Sequence, residues 1–281
     1  MNLILQGPAA DAAAVERIAA LAGSASVSPA GAHAWRCAGV EPTPEARAAI
    51  DAACLAQGID YAFVQPGLKL SDFRLLTMDM DSTLITIECI DEIADMQGLK
   101  PQVAEITEAA MRGEIEFQES LTRRVALLRG LDASALQRVY DERLRLSPGA
   151  EPMLAAVRAA GLKTLLVSGG FTYFTDRIKE RLGLDYTHAN VLEIADGKLT
   201  GRVVGGIVDA DEKRRTVERV CAELGVSPAQ AIVMGDGAND LKMMAIAGMS
   251  VAFRAKPVVR AQASVALNVC GLDGILPLFD L

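Results

Sequence analysis

Three apolar runs of strand length constrain this chain more than anything else in it: Leu75–Met78, Thr164–Val167 and Ala231–Met234. Each runs straight into a polar turn. The first meets Asp79-Met80-Asp81-Ser82-Thr83, the second Ser168-Gly169-Gly170, and the third Gly235-Asp236-Gly237-Ala238-Asn239-Asp240. Helical periodicity fills the stretches between them. Strands alternating with helices predict an α/β fold: a parallel, Rossmann-like sheet with helices on both faces. In an open parallel sheet, ligands bind at the carboxyl ends of the strands. The three polar turns are therefore expected to meet at one site.

Residues 88–147 read as nearly continuous helix with breaks at Gly98-Leu99-Lys100-Pro101, Arg112-Gly113, Gly130 and Ser147-Pro148-Gly149. Helical stretches with short breaks pack as a bundle, so this segment is expected to form a cap inserted into the α/β core (71–87 and 148–281). After it come a helix at 150–160, a helix at 172–182, a hairpin around Asp196-Gly197 and a helix at 212–224. A helix at 240–247, a strand at Ser250–Phe253, a helix after Pro257 and a short ending complete the core. Residues 1–70 read as a separate small α/β unit of order βαββαβ. Asp11 caps its first helix, and Thr43 and Pro44 start its second. This unit has no cluster of catalytic residue types.

The turns carry the chemistry. Asp79 and Asp81, spaced i, i+2 where a strand breaks into a loop, can face one site. Two close carboxylates repel unless a cation lies between them or one takes a proton. Aspartates 79, 81 and 236 are expected to gather around a divalent cation. Ser168 and the amides of its glycine turn would donate to a phosphoryl oxygen, and Lys213, opening the helix at 212, would neutralise charge on the transferring group. Taken singly, each feature has a plainer reading as a turn, a cap or a surface lysine. Three successive strand ends argue for the joint reading.

Several classes drop out. An EF-hand loop starting at Asp79 would want Gly at position 84 and Glu at 90, but the chain has Leu84 and Ile90. No Walker motif is present, and Gly235-x-Gly237 is followed by Asp240 rather than a third glycine. The formal charge of −8 and the lack of a long basic block disfavour nucleic acid. Without an apolar run of about 18 residues, no membrane span is expected. The first residues lack a basic region and a long apolar stretch, so no secretory signal is expected either. Five scattered cysteines make no Cys-x-x-Cys, which suits a reducing cytoplasm. With two histidines, histidine-centred chemistry has little material.

At these residues the chain resembles the haloacid dehalogenase superfamily of aspartate-nucleophile phosphatases. The pattern is D-x-D-x-T, a strand-end Ser, a Lys, then an acidic G-D-x-x-x-D turn, and the likeness covers Ser71 to the C-terminus. Glu88-Cys89-Ile90-Asp91-Glu92, Met111-Arg112-Gly113, Phe117-Gln118-Glu119-Ser120-Leu121 and Arg123-Arg124-Val125 extend it into the cap. There it is similar to the branch that hydrolyses O-phosphoserine, the last step of serine biosynthesis. The first 70 residues are similar to an ACT-like extension in length and coarse pattern.

The resemblance implies Asp79 as nucleophile and Asp81 as general acid and base, the latter protonated because of the neighbouring negative charge. It implies Mg²⁺ held by Asp79, the main-chain carbonyl of Asp81, and Asp236. Ser168, Gly169, Lys213 and Asn239 would hold phosphate, with Asp240 fixing Lys213 or the metal shell. Glu88 would take the substrate ammonium and Arg124 its carboxylate, while Met111 and Phe117 line a closed pocket. For the last two, a place in the bundle core remains the alternative. A phospho-aspartate receiver module and a phosphatase for another small ester stay open. So does the role of residues 1–70: binding a regulatory amino acid, building a homodimer, or bracing the core.

Overall fold

A computed structural model describes residues 1–280 of the chain. From the N-terminus come β1 (Asn2–Gln6), α1 (Ala12–Leu21), β2 (Ser26–Gly31), β3 (Ala34–Ala38), α2 (Pro44–Gln57), β4 (Asp60–Val64) and β5 (Leu75–Met78). Four helices follow: α3 (Cys89–Asp95), α4 (Lys100–Met111), α5 (Phe117–Leu127) and α6 (Ser134–Arg138). Then come α7 (Ala150–Ala159), β6 (Lys163–Phe171), α8 (Thr172–Leu182), β7 (Tyr186–Ala195), β8 (Lys198–Val204) and α9 (Ala210–Glu223). The chain closes with β9 (Ala231–Gly235), α10 (Leu241–Met244), β10 (Met249–Phe253), α11 (Pro257–Arg260) and β11 (Val265–Leu267). Among the described residues no helix is long and apolar enough to cross a membrane.

The chain divides into two compact units, and it passes between them inside β5. The first holds Met1–Leu76, Ser147–Lys163 and Gly225–Leu281. Its N-terminal part has the expected order βαββαβ, folded as an antiparallel sheet β2-β3-β1-β4. Asp11 and Thr43 cap α1 and α2 through their side chains, as expected from the sequence. The two helices bury Val15, Ile18, Ile50 and Cys54 against Leu3 and Leu5 of β1. Also in this unit are the parallel strands β11, β10 and β9, in that order, with β5 next. The buried Asp60 of β4 accepts from the N–H groups of Asn268, Val269 and Cys270 at 2.8, 3.0 and 2.8 Å. A buried carboxylate must be satisfied this way, so the N-terminal sheet is tied to the segment after β11. That three-residue strand was not read from the sequence, because so short a run has no period to detect.

The second unit holds Thr77–Leu146 and Thr164–Leu224. Here the order is β5-β6-β7-β8, with β7 parallel to β6 and antiparallel to β8. The Asp196-Gly197 turn joins β7 to β8, with both residues at positive φ. Helices α3, α4 and α5 pack in sequence, and α5 lies on β8. Leu121, Val125 and Leu136 are buried there. Helix α9 starts at Ala210, not at 212, because the Asp209 side chain accepts from the Glu212 N–H and caps it. Lys213 therefore sits one turn inside the helix rather than at its opening.

Candidate active site

In the second unit, Asp79 follows directly on β5 and is buried. The chain then makes one wide turn, in which Leu84 donates to the Asp79 carbonyl at 3.3 Å and Ile85 to that of Met80 at 3.0 Å. The turn forces Ser82 into the left-handed region at φ 55°, where a residue with a Cβ is uncommon. Two contacts hold it there. The Ser82 N–H donates to the Ile87 carbonyl at 3.2 Å, and its hydroxyl to Glu88 Oε1 at 2.6 Å. Glu88, expected only as a substrate ligand, also latches the loop that carries both aspartates.

Lys213 is completely buried, and its Nζ donates to Asp79 Oδ1 at 2.7 Å. The sequence assigned this lysine to the transferring group, and the structure adds that it pairs with the proposed nucleophile. A buried ammonium 2.7 Å away favours the ionised form of a carboxylate. The cap helix reaches the same element, since Gln118 of α5 donates to Asp209 Oδ2 at 2.7 Å, at the head of α9.

Asp81 faces a different environment. Its carboxyl is pushed up to about 8, first by desolvation and then by the charge of Glu88, while Cys89 and Lys213 pull it down. The leading cause is thus burial, ahead of the neighbouring charge that the resemblance implies. Its Oδ1 is buried without a hydrogen-bond partner. Asp81 is half-buried and Glu88 is exposed, although protein atoms surround both. Desolvation raises the Glu88 carboxyl too, against Ser82 and Arg124, which lower it. Desolvation lowers the Arg124 guanidinium, and Asp91, Glu88 and Asp81 raise it. One guanidinium therefore feels the charge of three acids. Asp91 was not singled out in the sequence; its spacing of three from Glu88, on the same helical face, was the available signal.

The Ser168 turn interrupts the ladder. Val167 pairs with His188 and Phe171 with Asn190, so four residues of β6 span two of β7, and Ser168–Gly170 stand out of register. The buried Ser168 accepts from the Gly170 N–H at 2.8 Å. Around Gly170, a Cβ would lie 2.9 Å from Met80 Cε, 3.0 Å from Ser168 Oγ and 3.2 Å from Asp81 Oδ2. This close approach brings Asp81 and Ser168 together. Gly170→Ala is expected to lower kcat at least about 10-fold while the melting temperature stays within a few degrees, because displaced reacting groups are costly. An unchanged kcat would remove Asp81 and Ser168 from the reacting centre.

Phe117 reaches the same turn: a Cβ on Gly169 would lie 3.1 Å from its Cζ. That contact favours the pocket reading over the bundle core for this half-buried ring. Met111 is 64% exposed at the end of α4, where the chain turns at Arg112-Gly113, so it is not core either.

In the first unit, β9 ends at Gly235 and the acidic turn follows. The buried Asp240 accepts through Oδ2 from the N–H groups of Asp236 at 3.2 Å and Gly237 at 3.0 Å, shaping its own turn. A Cβ on Gly235 would run into the Asp240 carboxylate. Asp236 and Asn239 are half-buried on this turn.

Residues 73–248 match the model of the haloacid dehalogenase-like hydrolases, and residues 3–50 match a domain of unknown function. A phosphoserine phosphatase of Polaromonas sp. strain JS666 is 58% identical over 229 residues, covering 80% of this chain and 97% of that protein. The crystal structure of a haloacid dehalogenase family hydrolase from Salmonella enterica serovar Typhi has a TM-score of 0.91 at 33% identity, covering 100% of this chain and 99% of that one. A phospho-aspartyl intermediate analogue of phosphoserine phosphatase has a TM-score of 0.70 at 37% identity, covering 74% and 99%.

Proposed function

This chain belongs to the haloacid dehalogenase-like hydrolases, and from that membership we propose that it hydrolyses O-phosphoserine to serine and phosphate through an aspartyl-phosphate. The observation that carries the reading is the buried Lys213–Asp79 pair at 2.7 Å, a carboxylate facing an ammonium at the end of an apolar strand. The likeness to a phosphoserine phosphatase at 58% identity supports the substrate, and the likeness to a phospho-aspartyl analogue supports the intermediate.

An Asp79 oxygen attacks phosphorus, the bond from phosphorus to the serine oxygen breaks, and Asp81 gives its proton to that oxygen. A water then attacks the same phosphorus, its proton goes to Asp81, and Asp79 leaves as a carboxylate. Asp81 suits the task because burial favours its protonated form, and its orphaned Oδ1 needs a partner. Ser168, the Gly169 amide, Lys213 and Asn239 hold the phosphoryl oxygens. The donor set fits a hard divalent cation, since it offers only carboxylate and carbonyl oxygens. Mg²⁺ would be held by Asp79, the main-chain carbonyl of Asp81, and Asp236, with Asp240 supporting the turn. When bound it supplies positive charge to the phosphoryl oxygens. Phe117 screens the turn from water, and Met111 stands at the rim. All five cysteines are free, which suits a cytoplasmic enzyme of serine biosynthesis.

Magnesium-dependent phosphate release across phosphoserine, phosphothreonine, phosphotyrosine and sugar phosphates tests the reading. A preference for a sugar phosphate, or full activity in excess chelator, would overturn it. Specificity resides in Arg124 and Glu88. Arg124→Ala should damage phosphoserine hydrolysis by about 30-fold or more, the cost of an unpaired buried charge, and p-nitrophenyl phosphate hydrolysis far less. Glu88→Gln keeps an acceptor for Ser82, so it should hurt phosphoserine more than phospholactate, which lacks the ammonium. Equal losses on all esters would make these residues part of the cleft wall and not of amino-acid recognition.

A further inference from the structure

We propose that Asn190 is the positioning residue of the phosphate-binding turn, and that it fixes Ser168 through the Gly169–Gly170 peptide. The inference rests on the phosphoryl-transfer reading above and adds a residue to it. Asn190 lies on β7 and is buried. Its Nδ2 donates to the Gly169 carbonyl at 2.7 Å, and its Oδ1 accepts from the Val208 N–H at 2.8 Å. The two partners fix the amide's orientation, because a carbonyl can only accept and an N–H can only donate.

The need for such a residue follows from the ladder. Ser168–Gly170 stand out of register with β7, so their backbone groups must find partners elsewhere. The peptide between Gly169 and Gly170 is held at both ends. Asn190 takes its carbonyl, and Ser168 Oγ takes its N–H at 2.8 Å. With a lone pair of Oγ engaged, the Ser168 hydroxyl proton must point away from that N–H, and the hydroxyl is set as a donor. A peptide plane free to rotate would release that N–H and let the hydroxyl turn. The other arm of Asn190 holds Val208, next to Asp209, which caps the helix bearing Lys213. One buried amide thus keeps the Ser168 turn and the start of the Lys213 helix in step.

The test is a double-mutant cycle with Ser168→Ala, read on both O-phosphoserine and p-nitrophenyl phosphate. Asn190→Asp keeps the acceptor for Val208 and removes the donor to Gly169. It should lower kcat about 100-fold on both esters alike, since the phosphoryl group is common to them. It should also raise the dissociation constant of inorganic phosphate, which needs no turnover to measure. In the Ser168→Ala background the same change should cost less than about 3-fold. Wild-type kcat in Asn190→Asp, or the full loss persisting without Ser168, would overturn the proposal. If Asn190→Asp does not fold, Asn190→Gln carries both groups on a longer stem. A loss coupled to Ser168 then supports the proposal and wild-type kcat overturns it. A wild type active on p-nitrophenyl phosphate but not on O-phosphoserine would overturn the substrate reading alone.

Discussion

Asp79→Asn should abolish turnover, lowering kcat by at least about 10⁴-fold, as removal of a nucleophile does elsewhere. The amide has no anionic oxygen to attack phosphorus, so no acyl phosphate can form. Two measurements check this. Rapid-quench labelling with radioactive substrate should leave hydroxylamine-labile phosphate on the wild-type protein and none on the variant. Steady-state assays should give no more than trace release. Circular dichroism should retain the wild-type signal, since Asn is close to isosteric. If the variant keeps more than about a hundredth of wild-type kcat, a loss under about 2.7 kcal/mol, the covalent route is wrong.

Lys213→Met should have the second-largest effect, and it should appear in stability as well as in rate. The ammonium is fully buried and 2.7 Å from Asp79. Breaking a buried pair by removing one partner costs about 3–5 kcal/mol, because the remaining charge loses its counterion inside the protein. Losing a preorganised positive charge at the phosphoryl group should also lower kcat about 10²–10³-fold. The double variant Asp79→Asn with Lys213→Met separates the two effects. Replacing both partners leaves no buried charge of the pair, so it should recover most of the stability while remaining inactive. Denaturant unfolding measures this. If the single variant is as stable as wild type, the pair does not hold the site together in solution.

Much was legible because it depends on neighbours in the chain. The caps at Asp11 and Thr43 follow from side chains that reach the next turn. The turn at Asp196-Gly197 follows from its backbone preference, and the three strand ends from an apolar run meeting polar residues. The helix start at Ala210 was missed by two residues, since Asp209 caps it and Asp211 and Glu212 follow, so several acids could have served. Strand β11 was missed because three residues have no period of their own; its identity comes from lying beside β10.

Sequence by itself determined which residues are the candidates for the chemistry: Asp79, Asp81, Ser168 and Asp236 stand where apolar strands stop, and Lys213 lies in the first turn of a helix between them. Tertiary structure alone decided what each of them touches. That Lys213 pairs with Asp79, 134 residues away, that burial more than a neighbouring charge raises Asp81, and that Met111 stands exposed all depend on how separate elements pack. Asn190 is the clearest case. In sequence it is one polar residue in a strand. In space the four-against-two mismatch between β6 and β7 leaves a carbonyl without a ladder partner, and its amide fills that gap. Desolvation and long-range hydrogen bonds arise only when separate elements pack, so no pattern of local spacing encodes them.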